Sequence, residues 1–203
     1  MNVYAGLLPA SRDKEGVAMD RPSEGGETLR TFIAVKLDDS CANRLAELQQ
    51  ELDAHVPKRS IRWVPVEHMH LTLKFLGNVP AVKLSELQAA LRRACQGADA
   101  FRLCVEGVGA FPDDRTPRVI WVGVGGQTAP LKNLQMKIER ETRGFGDSDE
   151  RKSFYPHLTI GRLRAAIPFR DIARVGEIIR TGRLVGAGSG WKVGKIWLVR
   201  SDL

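Results

Sequence analysis

The chain has 203 residues, 43% hydrophobic and 27% charged, enough to bury a sizeable core in one large domain or two small lobes. No apolar run reaches the roughly 18 residues a membrane helix needs, and three scattered cysteines without a C-x-x-C exclude a disulfide framework and a cysteine-rich zinc site. The net charge of +7 is confined to one region: residues 151–203 hold 11 Lys/Arg against 3 Asp/Glu, leaving 20 against 21 in the first 150.

Residues 1–28 are rich in Gly, Pro, Ser and charge, and RPSEGGE has no apolar period, so the composition predicts a disordered N-terminal extension. The opening MNVYAGLLPASRDKEG has no basic n-region, which argues against a secretory signal, and free cysteines fit a reducing cytoplasm. From residue 29 the pattern changes. RTFIAVKL reads as a buried strand, and Asp38, Asp39 and Ser40 offer caps to a helix with Leu45, Leu48 and Leu52 on one stripe. IRWVPV and HLTLKFLG read as strands. A helix follows Pro80, with Leu84, Leu87, Leu91 and Cys95 in register.

FRLCVEGVGAF and RVIWVGV form two more strands around a Pro/Asp turn, and Leu131, Leu134 and Ile138 mark a third helix. GFGDSDERKS is a polar loop, PHLTIGRLR a strand, residues 170–181 a helix and KVGKIWLVR a last strand. This alternation predicts an α+β fold of two similar lobes, each a small, mostly antiparallel sheet backed by helices.

Two of the four histidines open the same tripeptide. His70-Leu71-Thr72 and His157-Leu158-Thr159 lie 87 residues apart. With eight threonines in the chain, composition alone predicts roughly 0.16 His-x-Thr triplets, so a matched pair is no accident of composition. In a strand, residues i and i+2 share a face, so each triplet presents an imidazole beside a hydroxyl and turns its leucine toward a core.

Two such strands meeting across a cleft suit attack on a phosphodiester. One neutral imidazole takes a proton, the other as imidazolium gives one, and hydroxyls bind the non-bridging oxygens. That chemistry needs no metal and no cofactor. An alternative stays open, because His68 shares parity with His70, and with His157 they would make a three-histidine zinc site. By the same parity Lys74 lines the site. Arg162 points away from it unless Gly161 hosts a bulge. Phe154 and Tyr155 precede the second triplet and are candidate stacking residues for a nucleotide base. Trp63 and Trp121 read as core. The basic last quarter favours a polyanion partner such as RNA.

HLTLKFLG and, 87 residues on, PHLTIGRLR resemble the two-histidine phosphoesterase superfamily, and within it the RNA 2′,3′-cyclic phosphodiesterases, historically called 2′-5′ RNA ligases. RTFIAVKL, RWVPVEHMHLTLKFLG, FPDDRTPRVIWVGV and SFYPHLTIGRLR extend the resemblance over about residues 29–201. It implies a bilobal fold with the active site between the lobes. It further implies hydrolysis of a terminal 2′,3′-cyclic phosphate to a 2′-phosphate, with weak reverse ligation in some members. By the same resemblance His70 is the proton donor, His157 the acceptor, and Thr72, Thr159 and Arg162 bind phosphate. Two other readings remain: a phosphodiesterase acting on a small cyclic nucleotide, and a non-catalytic RNA-binding module. The chain departs from the family at His68, where Asn is more usual. It also stops at KIWLVRSDL, so residues 29–203 are expected to lack a last C-terminal strand.

Overall fold

The structure is a computed structural model describing residues 3–7, 26–147, 153–181 and 190–201. The described strands and α-helices follow in chain order. They are β1 (Val3–Leu7), β2 (Thr28–Lys36), α1 (Asp39–Asp53), β3 (Ile61–Trp63), β4 (His70–Pro80), α2 (Leu84–Cys95), β5 (Phe101–Phe111), β6 (Val119–Gly126), α3 (Thr128–Glu141), β7 (His157–Leu163), α4 (Phe169–Thr181), β8 (Gly190–Val193) and β9 (Ile196–Arg200). All of these strands join one nine-stranded sheet in the order β1-β9-β2-β4-β7-β6-β5-β8, with β3 also on β7, and each pairing is antiparallel. The α+β class predicted from the sequence is the class found.

Local chemistry accounts for the elements. Asp38 caps α1, its Oδ1 accepting from the Cys41 N–H at 2.9 Å. The leucine stripe of α1 is buried, each side chain contributing roughly 1.5–3 kcal/mol of transfer free energy. One core cluster draws on all four helices, through Leu45, Leu91, Leu134 and Val175 among others, and on Ile33, Leu71, Leu158 and Trp191 from the strands. Alternate strand residues face the other way, where Phe32, Ala34 and Val199 form a second, small apolar cluster.

Two segments differ from the sequence expectation. KVGKIWLVR is two strands: β8 pairs with β5 and β9 with β2, with Gly194 and Lys195 between them. Three residue steps span at most about 11 Å, so the two far parts of the strand order are brought together and the sheet curls. Val3–Leu7 is a strand, where composition predicted a disordered tail. Its main chain pairs with β9, Val3 opposite Val199 and Tyr4 opposite Leu198, so β9 lies between β1 and β2. A sheet edge that needs a partner outweighs the weak local preference of five residues. The rest of the expected tail, residues 8–25, lies outside the described residues.

Candidate active site

β4 and β7 touch through one backbone pair, Leu71 opposite Leu158, the central residues of the two His-Leu-Thr triplets. Both leucines are fully buried. Antiparallel register through this pair sets His70 level with Thr159 and Thr72 level with His157. All four side chains share the face opposite the leucines. Each histidine therefore neighbours the threonine of the other motif.

The rings are oriented alike. His70 Nδ1 lies 2.7 Å from the His68 carbonyl oxygen, and His157 Nδ1 lies 2.7 Å from that of Tyr155. A carbonyl only accepts, so Nδ1 carries the hydrogen in both rings and each Nε2 is left for a substrate. Phe32 stacks on His70 at 4.6 Å between centroids, and Phe111 meets His157 edge-on at 4.9 Å. Burial lowers the proton affinity of His70 below the ordinary imidazole value, opposed by its bond to the His68 carbonyl.

Each strand carries a bulge three residues after its histidine. On β4, Thr72 pairs with Ala34 and Lys74 with Ile33, so Leu73 is the extra residue. On β7, Thr159 pairs with Trp121 and Gly161 with Ile120, so Ile160 is extra. Beyond a bulge the alternation reverses. Directly opposed residues share a face. Thr159 opposes Trp121 and Arg162 opposes Val119, and those two partners are two apart on β6. Arg162 thus lies on the His157 and Thr159 face, the bulge sitting one residue earlier than the Gly161 position anticipated for it.

The same reversal corrects the expectation for Lys74. It points to the helix face, where its Nζ meets Glu139 Oε2 of α3 at 2.8 Å and its side chain is only 12% exposed. Phe75 takes the site face instead, tilted against Phe32 at 6.0 Å. Strand parity also fails for His68. It is the last residue of a one-turn 3₁₀ helix, Val66–His68, and is exposed. It serves His70 through its carbonyl. Among the described residues no three His, Cys, Asp or Glu side chains gather in a metal-ligating group, so the three-histidine arrangement does not form.

Of the two aromatics before the second triplet, Tyr155 is 54% exposed and lies 6.4 Å from the His157 ring, whereas Phe154 is half-buried and packs against the core. Trp121, read as core from the sequence, is half-buried on the His157 face, 5.2 Å from both Tyr155 and Phe111. Gly109 makes room for it, since a Cβ there would run into the indole. Trp63 binds Asp53 Oδ1 through its indole N–H at 2.7 Å. Sequence reading also passed over Arg62, which pairs directly with Arg162 across β3 and β7. Only the register reveals it.

Two imidazoles whose Nε2 atoms have no partner among the described residues, two hydroxyls and a guanidinium share one sheet face, a set of groups that can carry out acid–base chemistry on an anionic ester. Comparison with known proteins places the chain. The family model described as LigT like Phosphoesterase matches residues 35–121. A protein of Methanothermobacter thermautotrophicus named RNA 2′,3′-cyclic phosphodiesterase is 31% identical over 86% of this chain and 91% of its own length. One of the same name from Thermotoga maritima is 38% identical over 67% of this chain and 71% of its own. The crystal structure of TT0787 of Thermus thermophilus superposes with a TM-score of 0.66 at 28% identity, covering 86% of this chain and 90% of that one. Escherichia coli LigT in its apo form superposes with a TM-score of 0.63 at 22% identity, over 88% and 90%, a likeness of fold. The chain belongs to the LigT-like phosphoesterase family. No helix among the described residues is long and apolar enough to cross a membrane.

Proposed function

We propose that this chain is a cytoplasmic RNA 2′,3′-cyclic phosphodiesterase that opens a terminal cyclic phosphate to a 2′-phosphate. The observation that carries the reading is the reciprocal placement of the two triplets around Leu71 and Leu158, with neither Nε2 atom partnered among the described residues. The names of its relatives support the substrate class. In this reading the strands on either side of that pair form two pseudo-symmetric lobes, and the site lies in the cleft between them.

His157 Nε2 removes a proton from water as the water oxygen attacks phosphorus. The bond from phosphorus to O3′ breaks, and His70, entering as imidazolium, protonates O3′ through Nε2. A 2′-phosphate and a free 3′-hydroxyl result, with one proton gained by His157 and one lost by His70. Thr72 and Thr159 donate hydroxyl hydrogen bonds to the non-bridging oxygens, and Arg162 offsets their charge. A lowered proton affinity makes His70 a stronger acid once charged, and the bound phosphate anion favours the charged form. Tyr155 provides an exposed ring for the terminal base. A 5′-hydroxyl in place of water gives the reverse ligation, forming a 2′-5′ linkage with the same leaving group.

A short oligonucleotide ending in a 2′,3′-cyclic phosphate tests this directly. The expected product carries a 2′-phosphate, identified by phosphorus NMR, and chelator leaves the rate unchanged. No turnover, or a 3′-phosphate product, overturns the reading. Turnover confined to mononucleotides moves it to a small cyclic nucleotide.

A further inference from the structure

Arg62 on β3 sits directly opposite Arg162 on β7, with Val119 of β6 on the far side of Arg162. Opposed residues on neighbouring antiparallel strands hold their Cβ atoms about 4.5–5.5 Å apart on one face, and like charges placed so destabilise the pair. Both arginines are exposed, and among the described residues neither has an ion-pair or side-chain hydrogen-bond partner. Among the described residues no acid relieves this repulsion, and Asp53, which reaches the neighbouring Trp63, is turned to its indole. Arg118, just before Val119, and Arg164, just after Leu163, are also exposed.

An uncompensated pair of guanidiniums on the catalytic face is a site for anions. Arg162 follows the second triplet on β7. Arg62 stands at the neighbouring edge position, beside β7 on the same side as β4. We propose that Arg62 is a binding residue for the phosphodiester that joins the terminal nucleotide to the rest of the RNA, and so sets a preference for oligonucleotides over mononucleotides. The proposal rests on the phosphodiesterase reading for Arg162 and adds a second phosphate position to it. Arginine suits the role because its planar fork engages phosphate oxygens two at a time.

The test compares Arg62→Gln with the parent chain on two substrates, a cyclic-phosphate-ended trinucleotide and a nucleoside 2′,3′-cyclic phosphate. The expected result is a KM about tenfold higher for the trinucleotide, equivalent to about 1.4 kcal/mol, with kcat unchanged and both constants unchanged for the mononucleotide. The salt dependence of trinucleotide binding should lose about 0.7 from its logarithmic slope, one phosphate contact on a single strand. Melting temperature should hold or rise, since the variant removes a repulsion, and Arg62→Lys should restore part of the affinity. Equal losses on both substrates, no loss on either, or a lowered melting temperature overturns the proposal. Binding of a 3′-phosphate-ended trinucleotide, followed by fluorescence anisotropy, reads Arg62 without turnover. A parent chain that turns over neither substrate sinks the phosphodiesterase reading, while anisotropy still decides the arginine.

Discussion

Leu73 and Ile160 are counterparts: each is the bulged residue of its strand, three positions after a histidine, and each carbonyl accepts from a glutamine on a helix. Gln49 of α1 donates to the Ile160 carbonyl at 2.8 Å, with the Val64 N–H adding a second bond at 2.9 Å. Gln135 of α3 donates to the Leu73 carbonyl at 3.4 Å. The helices that bury the core face thereby hold the kinks that aim Phe75 and Arg162 at the other face.

Gln49→Ala should act at a distance. It leaves the Ile160 carbonyl with one partner, and the Val64 carbonyl loses its bond from the same amide. The expected cost in stability is about 1 kcal/mol. If the bulge relaxes, Arg162 swings from the site, and KM for a cyclic phosphate should rise about fivefold, the equivalent of about 1 kcal/mol. An unchanged KM in a destabilised variant would show that the bulge holds without Gln49.

The histidines should dominate activity without supporting the fold. His70→Ala and His157→Ala should each lower kcat/KM by roughly 10²–10⁴, with circular dichroism unchanged. Near-parent turnover by either variant would remove the acid–base assignment.

The pH profile follows from the burial of His70. The singly protonated pair accumulates as pH rises through the lowered His70 value and disappears once both rings are neutral. The profile of kcat/KM should be a bell whose acidic limb falls below the ordinary imidazole value, about 6.5. Stability follows the same sign. Folded His70 binds its proton less readily than the unfolded chain, so its contribution is present above about pH 6.5 and is lost as pH falls through the folded value. His70→Asn should flatten that acid-side loss in a melting series.

The two triplets, the strands around them and the helix stripes were legible because they follow from periods of 2 and 3.6 and from a repeat within the chain. The bulges were not, because the partners of their carbonyls are glutamines brought from distant helices, which no local pattern encodes. Strand parity extended one residue too far therefore put Lys74 in the site. Arg162 came to the site face only through a kink that parity does not contain, and Arg62 was visible only in the register. Strand parity fails at His68 for a related reason, since the strand begins at His70 and the preceding turn follows another geometry.

The bulge on β4 yields its own check. Lys74→Ala removes the ion-pair partner of Glu139, which keeps its bond from Gln135, and should cost about 1 kcal/mol or less in stability, the ordinary range for a partly exposed pair. Turnover should stay within about twofold, well under the effect of a general acid or base. A large loss of kcat would return Lys74 to the site.

Thiol labelling tests the packing of the helix face. Cys95 is buried on α2, and burial pushes its thiol up to about 11, while Cys41 is buried on α1. Cys104 is only half-buried, on β5. In the native chain a maleimide should label Cys104 alone, since thiolate and access are both required. Labelling of Cys95 at native pH would mean that α2 opens far more often than its packing implies.

The pairing of β1 with β9 makes a prediction at the level of the whole sheet. Without it, β9 from Ile196 to Arg200 presents an open row of N–H and C=O groups on the side away from β2. Such a row recruits other chains unless charge or a covering element guards it, and Lys195 and Arg200 flank the strand. A chain beginning at Gly26 retains every described residue of the catalytic face and loses this cover. If the lost pairing is worth about 2 kcal/mol, its melting temperature should fall by roughly 4–8 °C, the scaling for 150–250 residues. Concentration-dependent association should appear in sedimentation, while kcat/KM at low concentration should match the full chain. A truncated chain that stays monomeric and melts with the parent would show that β9 needs no outer partner.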